Sequence, residues 1–281
     1  LDGTAPHIFD PEVPGAADEI INLGDFWDAS KLEPYKPEIM RLNKKGSMQF
    51  KTAFYLLKQA KLAYDQWKWY VNESLDPKKY NRISKMLTES VLKGIVPNYN
   101  TAPQARHMFA SALTPKGVMD YKETLIGKNM KVYTIKGQPG TGVKEMIAKL
   151  AGSAEEVGLY TEQYHCPVEP DKLDMLIIPA EKIAVVNISP PYHFDPGNID
   201  GMNIVDEIDL NLCIEKDVLD EYEEERQQAE QRFYELLDLA IGHLAKAKKV
   251  HGEREKYYIQ AMDFEKVRKK RDEILKRILL T

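Results

Sequence analysis

Hydrophobic and polar positions in the second half of the chain alternate between the spacing of strands and that of helices. Residues 131–135 form a short apolar segment that predicts a strand, and a glycine- and proline-rich loop follows at residues 137–142. Residues 143–150 then place their apolar side chains on one face of a helix. This pattern predicts a strand, a loop and a helix in direct succession.

Three further apolar segments predict additional strands, at residues 159–165, 175–178 and 183–186. The last of them is rich in β-branched side chains, which is typical of a buried parallel strand. Because strands alternate with helical segments, we expect an α/β protein built on a parallel sheet.

Long helical segments follow in two pairs. Residues 50–71 and 78–92 form the first pair, separated by the helix-breaking sequence Leu75-Asp76-Pro77. Residues 218–250 and 253–280 form the second pair, with a predicted break at His251-Gly252. Each pair is predicted to form a helical hairpin.

The second pair has a marked distribution of charge. Residues 215–230 carry eight acidic and two basic side chains, and residues 265–277 carry seven basic and three acidic ones. In an antiparallel hairpin these two blocks would meet, with the acids at a helix N-terminus and the bases at a C-terminus, as the helix dipole favours. The alternative is that the basic block binds nucleic acid or phosphate.

Short sequence motifs recur in the same order and indicate an internal repeat. Residues 4–11 recur as residues 189–196, which aligns Asp10 with Asp195. Residues 19–23 recur as residues 206–210, and the helical segment that begins at Phe54 recurs as the one that begins at Phe233. We therefore predict two copies of one domain, at residues 1–100 and 104–281, the first lacking its N-terminal half. The alternative is that short turn motifs recur by accident.

Composition narrows the class of protein. The 281 residues are 43% apolar and 30% charged, an ordinary balance for a globular protein. The net charge of −5 does not favour nucleic acid as a partner, and apolar runs stay well short of the roughly 18–20 residues that a membrane span needs. Two cysteines in a chain of this length indicate a reducing compartment, which predicts the cytoplasm.

The loop between the predicted strand and helix carries the candidate chemistry. It consists of Gly137, Gln138, Pro139, Gly140, Thr141 and Gly142. Such a loop binds the phosphates of a nucleotide, because its glycines let backbone N–H groups point inward and the following helix adds the positive end of its dipole. The predicted ligands are ATP and Mg²⁺.

The loop departs from a complete phosphate-binding sequence at two positions. A complete loop ends in Gly-Lys-Ser/Thr, in which the lysine reaches the β- and γ-phosphates and the hydroxyl group binds Mg²⁺. Here Val143 has the lysine position and Lys144 has the hydroxyl position. We therefore expect weak or lost nucleotide binding and no appreciable ATPase activity.

The chain resembles a two-repeat P-loop ATPase or nucleotide-kinase-like family of Firmicutes and related anaerobes. The motifs that carry the resemblance are Asp2-Gly3-Thr4-Ala5-Pro6-His7, Ile20-Ile21-Asn22-Leu23-Gly24, residues 106–117, the loop at 137–142, and Tyr164-His165-Cys166-Pro167 followed by Asp174 and residues 177–179. The resemblance implies a complete phosphate loop in each repeat. It thus implies that the first loop lies upstream of Leu1, in an N-terminally truncated chain.

Two other sets of residues are candidates for the same site. Asp2 and Asn187 follow corresponding apolar segments, where an acid commonly holds Mg²⁺ through water, although both also fit ordinary turns. His165, Cys166 and His193 contain metal-ligating side chains, but the paired spacing of a metal site is missing, so we predict no metal there.

Three functions are compatible with these observations. The first is a nucleotide-binding P-loop protein whose competent site belongs to the first copy, with a degenerate site in the second. The second is a non-catalytic scaffold that binds a protein partner through its helical hairpins. The third is a kinase for a nucleotide or small metabolite.

Overall fold

A computed structural model describes residues 13–16, 18–99, 102, 104–127, 129–190, 194 and 203–280. The described residues form two compact units, the larger containing Phe54–Ile241 and the smaller containing residues 13–53 and 242–280. The boundaries of these units differ from those of the predicted repeats at 1–100 and 104–281. A compact unit is defined by its internal contacts, whereas a repeat is defined by duplication of the sequence, so the two repeats stay a prediction.

The larger unit contains a six-stranded sheet with the order β1-β5-β6-β7-β4-β8 and a two-stranded β2-β3 hairpin. The strands are β1 (Gln104–Phe109), β2 (Ser111–Thr114), β3 (Gly117–Asp120), β4 (Lys131–Lys136), β5 (Tyr160–His165), β6 (Leu173–Ile178), β7 (Ile183–Asn187) and β8 (Asn203–Asp209). The predicted α/β class is confirmed.

The expectation of a fully parallel sheet is wrong at β6, which runs antiparallel to both β5 and β7. A parallel crossover needs a dozen or more residues, usually a helix. Only the short 3-10 helix Pro179–Glu181 and Lys182 connect β6 to β7, so the chain must reverse its direction there.

Eight α-helices occur in the described part of the chain. They are α1 (Ala29–Leu32), α2 (Lys36–Glu73), α3 (Pro77–Val91), α4 (Lys122–Leu125), α5 (Val143–Glu156), α6 (Lys216–Asp220), α7 (Glu223–Ala261) and α8 (Phe264–Leu280). As the spacing predicted, Met146, Ile147 and Leu150 of α5 are buried in the core. In the segments that the structure describes, no helix is both long and apolar enough to cross a membrane.

The predicted break at His251-Gly252 is wrong, because α7 continues through it and ends at Ala261. A glycine inside a helix costs only about 1 kcal/mol relative to alanine, which the rest of a long helix readily offsets. The actual break lies at Met262-Asp263, and the Asp263 side chain accepts a hydrogen bond from the backbone N–H of Lys266 at the start of α8.

The charged blocks contain ion pairs along their own helices. Arg226 binds Glu223 and Glu230 on its own helix at 2.8 and 2.9 Å. In the basic block, Arg268 binds Glu265 at 2.7 Å, and Arg271 binds its neighbour Asp272. Neighbouring positions on one helix account for these pairs, whereas Arg277 of the basic block binds Glu19 at 2.6 Å. That the two blocks meet stays a prediction.

The same series of elements occurs twice, 187 residues apart. A 3-10 helix, Leu23–Phe26, precedes α1, α2 and the break before α3, just as Leu210–Cys213 precedes α6, α7 and the break before α8. The side chain of Asn22 accepts a hydrogen bond from Gly24 N at 3.0 Å, and Asp209 accepts one from Asn211 N at the same distance.

Backbone contacts within each unit repeat this correspondence. In the larger unit the segment after α2 pairs with the segment before α6, and in the smaller unit the segment after α7 pairs with the segment before α1. In the larger unit the bridge is Leu75↔Ile214, and the hydrogen bonds beside it run from Asp76 N to Cys213 O (2.8 Å) and from Glu215 N to Ser74 O (2.7 Å). In the smaller unit the bridge is Trp27↔Met262, and the hydrogen bonds run from Asp263 N to Phe26 O (2.8 Å) and from Asp28 N to Ala261 O (2.8 Å).

Buried positions on α2 and α7 follow the same spacing. The pairs are Leu42 with Ala229, Ala53 with Ala240, Leu57 with Leu244, Ala60 with Ala247, and Ala63 with Val250. The sequence-based alignment of Phe54 with Phe233 is therefore wrong by eight residues, since Phe54 corresponds to Ile241. Asp10 and Asp195 lie outside the described residues.

We predict that Asp76 and Asp263 stabilise the two corresponding helix starts by similar amounts. Asp76 accepts hydrogen bonds from the backbone N–H groups of Lys78 and Lys79 at 2.9 and 3.2 Å. Replacing either aspartate by alanine should lower the free energy of unfolding by about 1 kcal/mol, measured by urea unfolding. Asparagine at either position keeps an acceptor and should cost much less; an equal loss with asparagine would contradict the capping role.

Candidate phosphate-loop site

The loop at 137–142 connects β4 to α5 with two residues in the left-handed region. Gly140 has φ +101° and Gly142 has φ +85°, conformations that side chains with a Cβ rarely adopt. Gly142 also has the N-cap position of α5, where it offers no side-chain acceptor. The strand, loop and helix therefore occur as the sequence predicted.

Side chains from a neighbouring loop and from the 3-10 helix Leu210–Cys213 already bind two backbone N–H groups of this loop. Gly137 N donates to Ser189 Oγ at 3.0 Å, and Gln138 N donates to Asn211 Oδ1 at 2.8 Å. Thr141 closes the loop on itself, since its N–H and its hydroxyl group both donate to Gln138 O, at 3.1 and 2.8 Å. Part of the predicted phosphate cradle is thus satisfied internally.

Helices α2 and α3 lie directly against the two left-handed glycines. A Cβ atom on Gly140 would come within 2.3 Å of Lys68 O, and one on Gly142 within 2.7 Å of the Tyr80 ring. The Tyr80 hydroxyl group donates to Gly142 O at 3.0 Å. These contacts make the absence of a side chain at both positions a packing requirement.

Lys144 does not extend to the mouth of the loop. Its Nζ lies 2.8 Å from Glu169 Oε2, 3.1 Å from Cys166 Sγ and 3.3 Å from the Tyr64 hydroxyl oxygen. The residue is buried. Burial by itself would lower the pKa of this ammonium group, but the acidic groups around it, Glu169 among them, raise the pKa above its ordinary value.

Glu169 is the centre of the charged cluster. Its other carboxylate oxygen lies 2.6 Å from Lys68 Nζ and 3.5 Å from Lys61 Nζ. The side chain is only 3% exposed. Burial would raise the pKa of this carboxyl group, but the charge of Lys144 and the hydrogen bonds from Lys144 and Lys68 outweigh it and lower the pKa to about 2.

The cavity on the Lys144 side of the loop is too small for a nucleoside triphosphate, whereas an open groove of about 410 Å³ adjoins Gly140 and Gly142 on the side of α2 and α3. The lining of the cavity includes the loop, Lys68, Lys144, Glu169 and Asn187, and the cavity leaves about 20 Å³ for the centres of water molecules. That volume holds about one water molecule. Val143, in the position of the phosphate-binding lysine, is buried in the apolar core. The cavity at Lys144 therefore does not fit a Mg²⁺–nucleotide complex.

Asn187 is engaged within the protein. Its Nδ2 donates to Asp174 Oδ1 at 2.9 Å, and its Oδ1 accepts from Ser189 N at 2.9 Å. Ser189 in turn binds the loop at Gly137, so Asn187 supports the loop from behind. Asp2, its predicted counterpart, lies outside the described residues.

The candidate metal ligands make different contacts. His165 lies 2.9 Å from a ring nitrogen of His107 on the neighbouring strand, whereas Cys166 contacts Lys144. Burial lowers the pKa of His165 below its ordinary value, and the nearby His107 adds to that effect. His193 lies outside the described residues, within which no group of three or more His, Cys, Asp or Glu side chains is arranged to hold a metal ion.

Sequence reasoning missed Glu169, Lys68 and Tyr64 as site residues. Glu169 follows Cys166-Pro167 at the end of β5, the edge of an α/β sheet where ligands commonly bind. Its position in the sequence could therefore have identified Glu169 as a candidate site residue. Tyr64 and Lys68 lie on one face of α2, four residues apart, but local sequence does not reveal that this face meets the loop.

Comparisons of the chain with protein-family models, with curated proteins and with solved structures found no match.

We predict that Gly140→Ala destabilises the protein by about 1–3 kcal/mol, because a strained backbone and a contact with Lys68 O would have to be accommodated. The matched control is Gly152→Ala in α5, where an added Cβ meets open space. That change should stabilise by about 0.5–1 kcal/mol. Thermal and urea unfolding of both variants measure the difference; equal effects would show that the loop is not closed against α2.

We also predict an acid-dependent loss of stability from Glu169. Its folded pKa of about 2 lies below the ordinary 4.5, so its contribution is complete above about pH 4.5 and is lost as the pH falls toward 2. The difference in unfolding free energy between the wild type and Glu169→Gln should decrease by up to about 3 kcal/mol over that interval. A difference that stays constant with pH would contradict the ion pair.

Proposed function

We propose that residues 104–281 are a P-loop-type repeat of a duplicated nucleotide-binding protein, and that this repeat is non-catalytic. The carboxylate of Glu169 supplies, inside the protein, the negative charge that a nucleotide phosphate would bring. A competent nucleotide site would then belong to the first copy. The repeat at 104–281 works as a scaffold that holds helices in place.

The observation that carries this proposal is the set of cations around Glu169. Lys144, Lys68 and Lys61 all direct their ammonium groups at this one buried carboxylate. A phosphate-binding site needs cations that are available to the ligand. Here the cation next to the loop is already neutralised, and a bound phosphate would bring further negative charge to Glu169.

The groups that catalyse phosphoryl transfer are also replaced. Catalysis depends on a lysine at the phosphates, a hydroxyl group and an acid for Mg²⁺. Val143 is apolar, Lys144 is paired with Glu169, and Asn187 has no charge and binds Asp174. The proposed duplication is supported by the elements and backbone contacts that recur after 187 residues.

The scaffold role is supported by what the filled loop does for the helices. Gly140 allows α2 to approach at Lys68, and Gly142 binds the Tyr80 hydroxyl group of α3. Farther along α3, Leu87 and Val91 pack into the same core as α5. The loop thus positions two helices, which is consistent with a protein partner that contacts them.

A titration with ATP and with pyrophosphate, in the presence of Mg²⁺, tests the proposal. We expect the wild type to show no saturable binding up to several millimolar and no ATP hydrolysis. Glu169→Ala should release Lys144 and Lys68 and produce millimolar binding of pyrophosphate, since charge-assisted contacts with a freed cation are worth about 1.5–3 kcal/mol. Calorimetry and the fluorescence of Trp67 and Trp69 provide the readouts.

Glu145→Ala is the matched control. It also removes a negative charge beside the loop, but Glu145 is half exposed and its 3.4 Å contact is with Lys172, not with Lys144. This variant should leave pyrophosphate binding undetectable. Saturable binding of Mg²⁺–ATP by the wild type, unchanged in Glu169→Gln, would overturn the proposal and favour a working nucleotide site.

A further inference from the structure

An apolar face in the smaller unit is exposed to solvent. We call it the α8 face and define it by Ile21, Leu23, Phe26, Ile274 and Leu279. Leu23 is 50% exposed, Ile21 38% and Leu279 75%, while Phe26 and Ile274 are half-buried. Beside it, a groove of about 460 Å³ is lined by residues 19–22, Asp25 and Phe26 and by the lysines 266, 269 and 270 of α8.

The corresponding positions in the larger unit belong to its core. Leu210 and Cys213 are fully buried, Ile208 is 8% exposed and Leu87 is 3% exposed. These residues, with the partly buried Leu92 beside them, pack against β4 and the apolar side of α5. Among the described residues, the α8 face therefore corresponds to the surface that β4 and α5 cover in the larger unit, but no sheet or helix covers it.

The backbone frame under the two surfaces is the same. The 3-10 helix Leu23–Phe26 contacts α8 as Leu210–Cys213 contacts α3. Both contacts are fixed by a bridge, Trp27↔Met262 and Leu75↔Ile214 respectively. Because the backbone hydrogen bonds of the two segments agree, their apolar side chains have the same spacing. The two surfaces are therefore suited to bind the same kind of sheet and helix.

We propose that the α8 face is the docking surface for an α/β sheet unit built like residues 104–209, carried by the polypeptide that precedes residue 13. The proposal commits to this occupant because the larger unit contains it: β4, the loop at 137–142 and α5 cover α3 and the 3-10 helix Leu210–Cys213. It rests on the duplication in the proposed function, and not on the charge of Glu169.

Strand pairing defines how the occupant attaches. Strand β8 pairs in parallel with β4, with Ile208 opposite Ile135, and continues without a gap into Leu210. By the same spacing, Ile21 would lie opposite a residue of a β4-like strand, and residues 19–22 would become the edge strand of the occupant's sheet. Its loop-following helix would then lie in the groove beside Lys266 and Lys269, against Ile274.

Hydrogen–deuterium exchange on two proteins tests this interface. One protein consists of residues 1–281, and the other also includes the polypeptide that the natural upstream coding sequence encodes. We expect amide exchange in residues 19–26 and 268–279 to slow by about tenfold or more in the longer protein, because burial removes local opening. Exchange in α3, which is covered in both proteins, should not change.

Two substitutions in the longer protein locate the contact. Leu23→Glu should reverse the slowing, because it places a charge where Leu210 is fully buried in the other copy. Lys276→Glu is the control, since it changes an exposed side chain of α8 that is not part of the α8 face, and the slowing should persist. In residues 1–281 alone, neither substitution should change the thermal unfolding temperature by more than a few degrees.

Three results would overturn the proposal. The first is an upstream sequence that encodes no strand–loop–helix unit, and the second is unchanged exchange in residues 268–279 of the longer protein. The third is protection of the α8 face in residues 1–281 that rises with protein concentration and is abolished by Leu23→Glu, which would identify a second copy of the chain as the occupant.

Discussion

The buried ion pair between Lys144 and Glu169 is the constraint on which the arrangement of the larger unit depends. An unpaired charge in a protein interior costs several kcal/mol, and removing one partner of such a pair is correspondingly destabilising. Glu169 therefore requires Lys144 from α5 and Lys68 from α2 at the same time, at 2.8 and 2.6 Å. One carboxylate thus joins the loop after β5, the first turn of α5 and the C-terminal part of α2.

This junction explains why the glycine-rich loop is closed. Once Lys68 is held at Glu169, the backbone of α2 must pass the loop at the distance of a van der Waals contact, and only a residue without Cβ fits at position 140. Tyr80 then continues the contact from α3 to Gly142. A loop that in a nucleotide-binding protein would stay open for phosphate is here a packing surface for two helices.

Local pattern predicted much of the fold because each element carries its own signal. The period of apolar residues located β4, α5 and β7, and Leu75-Asp76-Pro77 marked the break before α3. The partners of Lys144 were not predictable in this way, since Tyr64 and Glu169 are distant from it in sequence. The direction of β6, in contrast, follows from its four-residue connection to β7, a local signal that the prediction of a parallel sheet overlooked. The break at His251-Gly252 failed for a third reason: two weak helix formers do not interrupt α7 when buried neighbours such as Leu244 and Val250 hold it.

The lengths of the helices explain why each short helix, α3 or α8, contacts the 3-10 helix of the other series of elements. Helix α2 has 38 residues, which is about 57 Å at 1.5 Å per residue. Helix α3 has only 15 residues, or about 22 Å, so it cannot return to the 3-10 helix that precedes α2. It packs instead on Leu210–Cys213, which belongs to the other series of elements. Because α7 is equally long, α8 is subject to the same restriction, and it meets Leu23–Phe26. Each short helix therefore packs against the 3-10 helix of the other series.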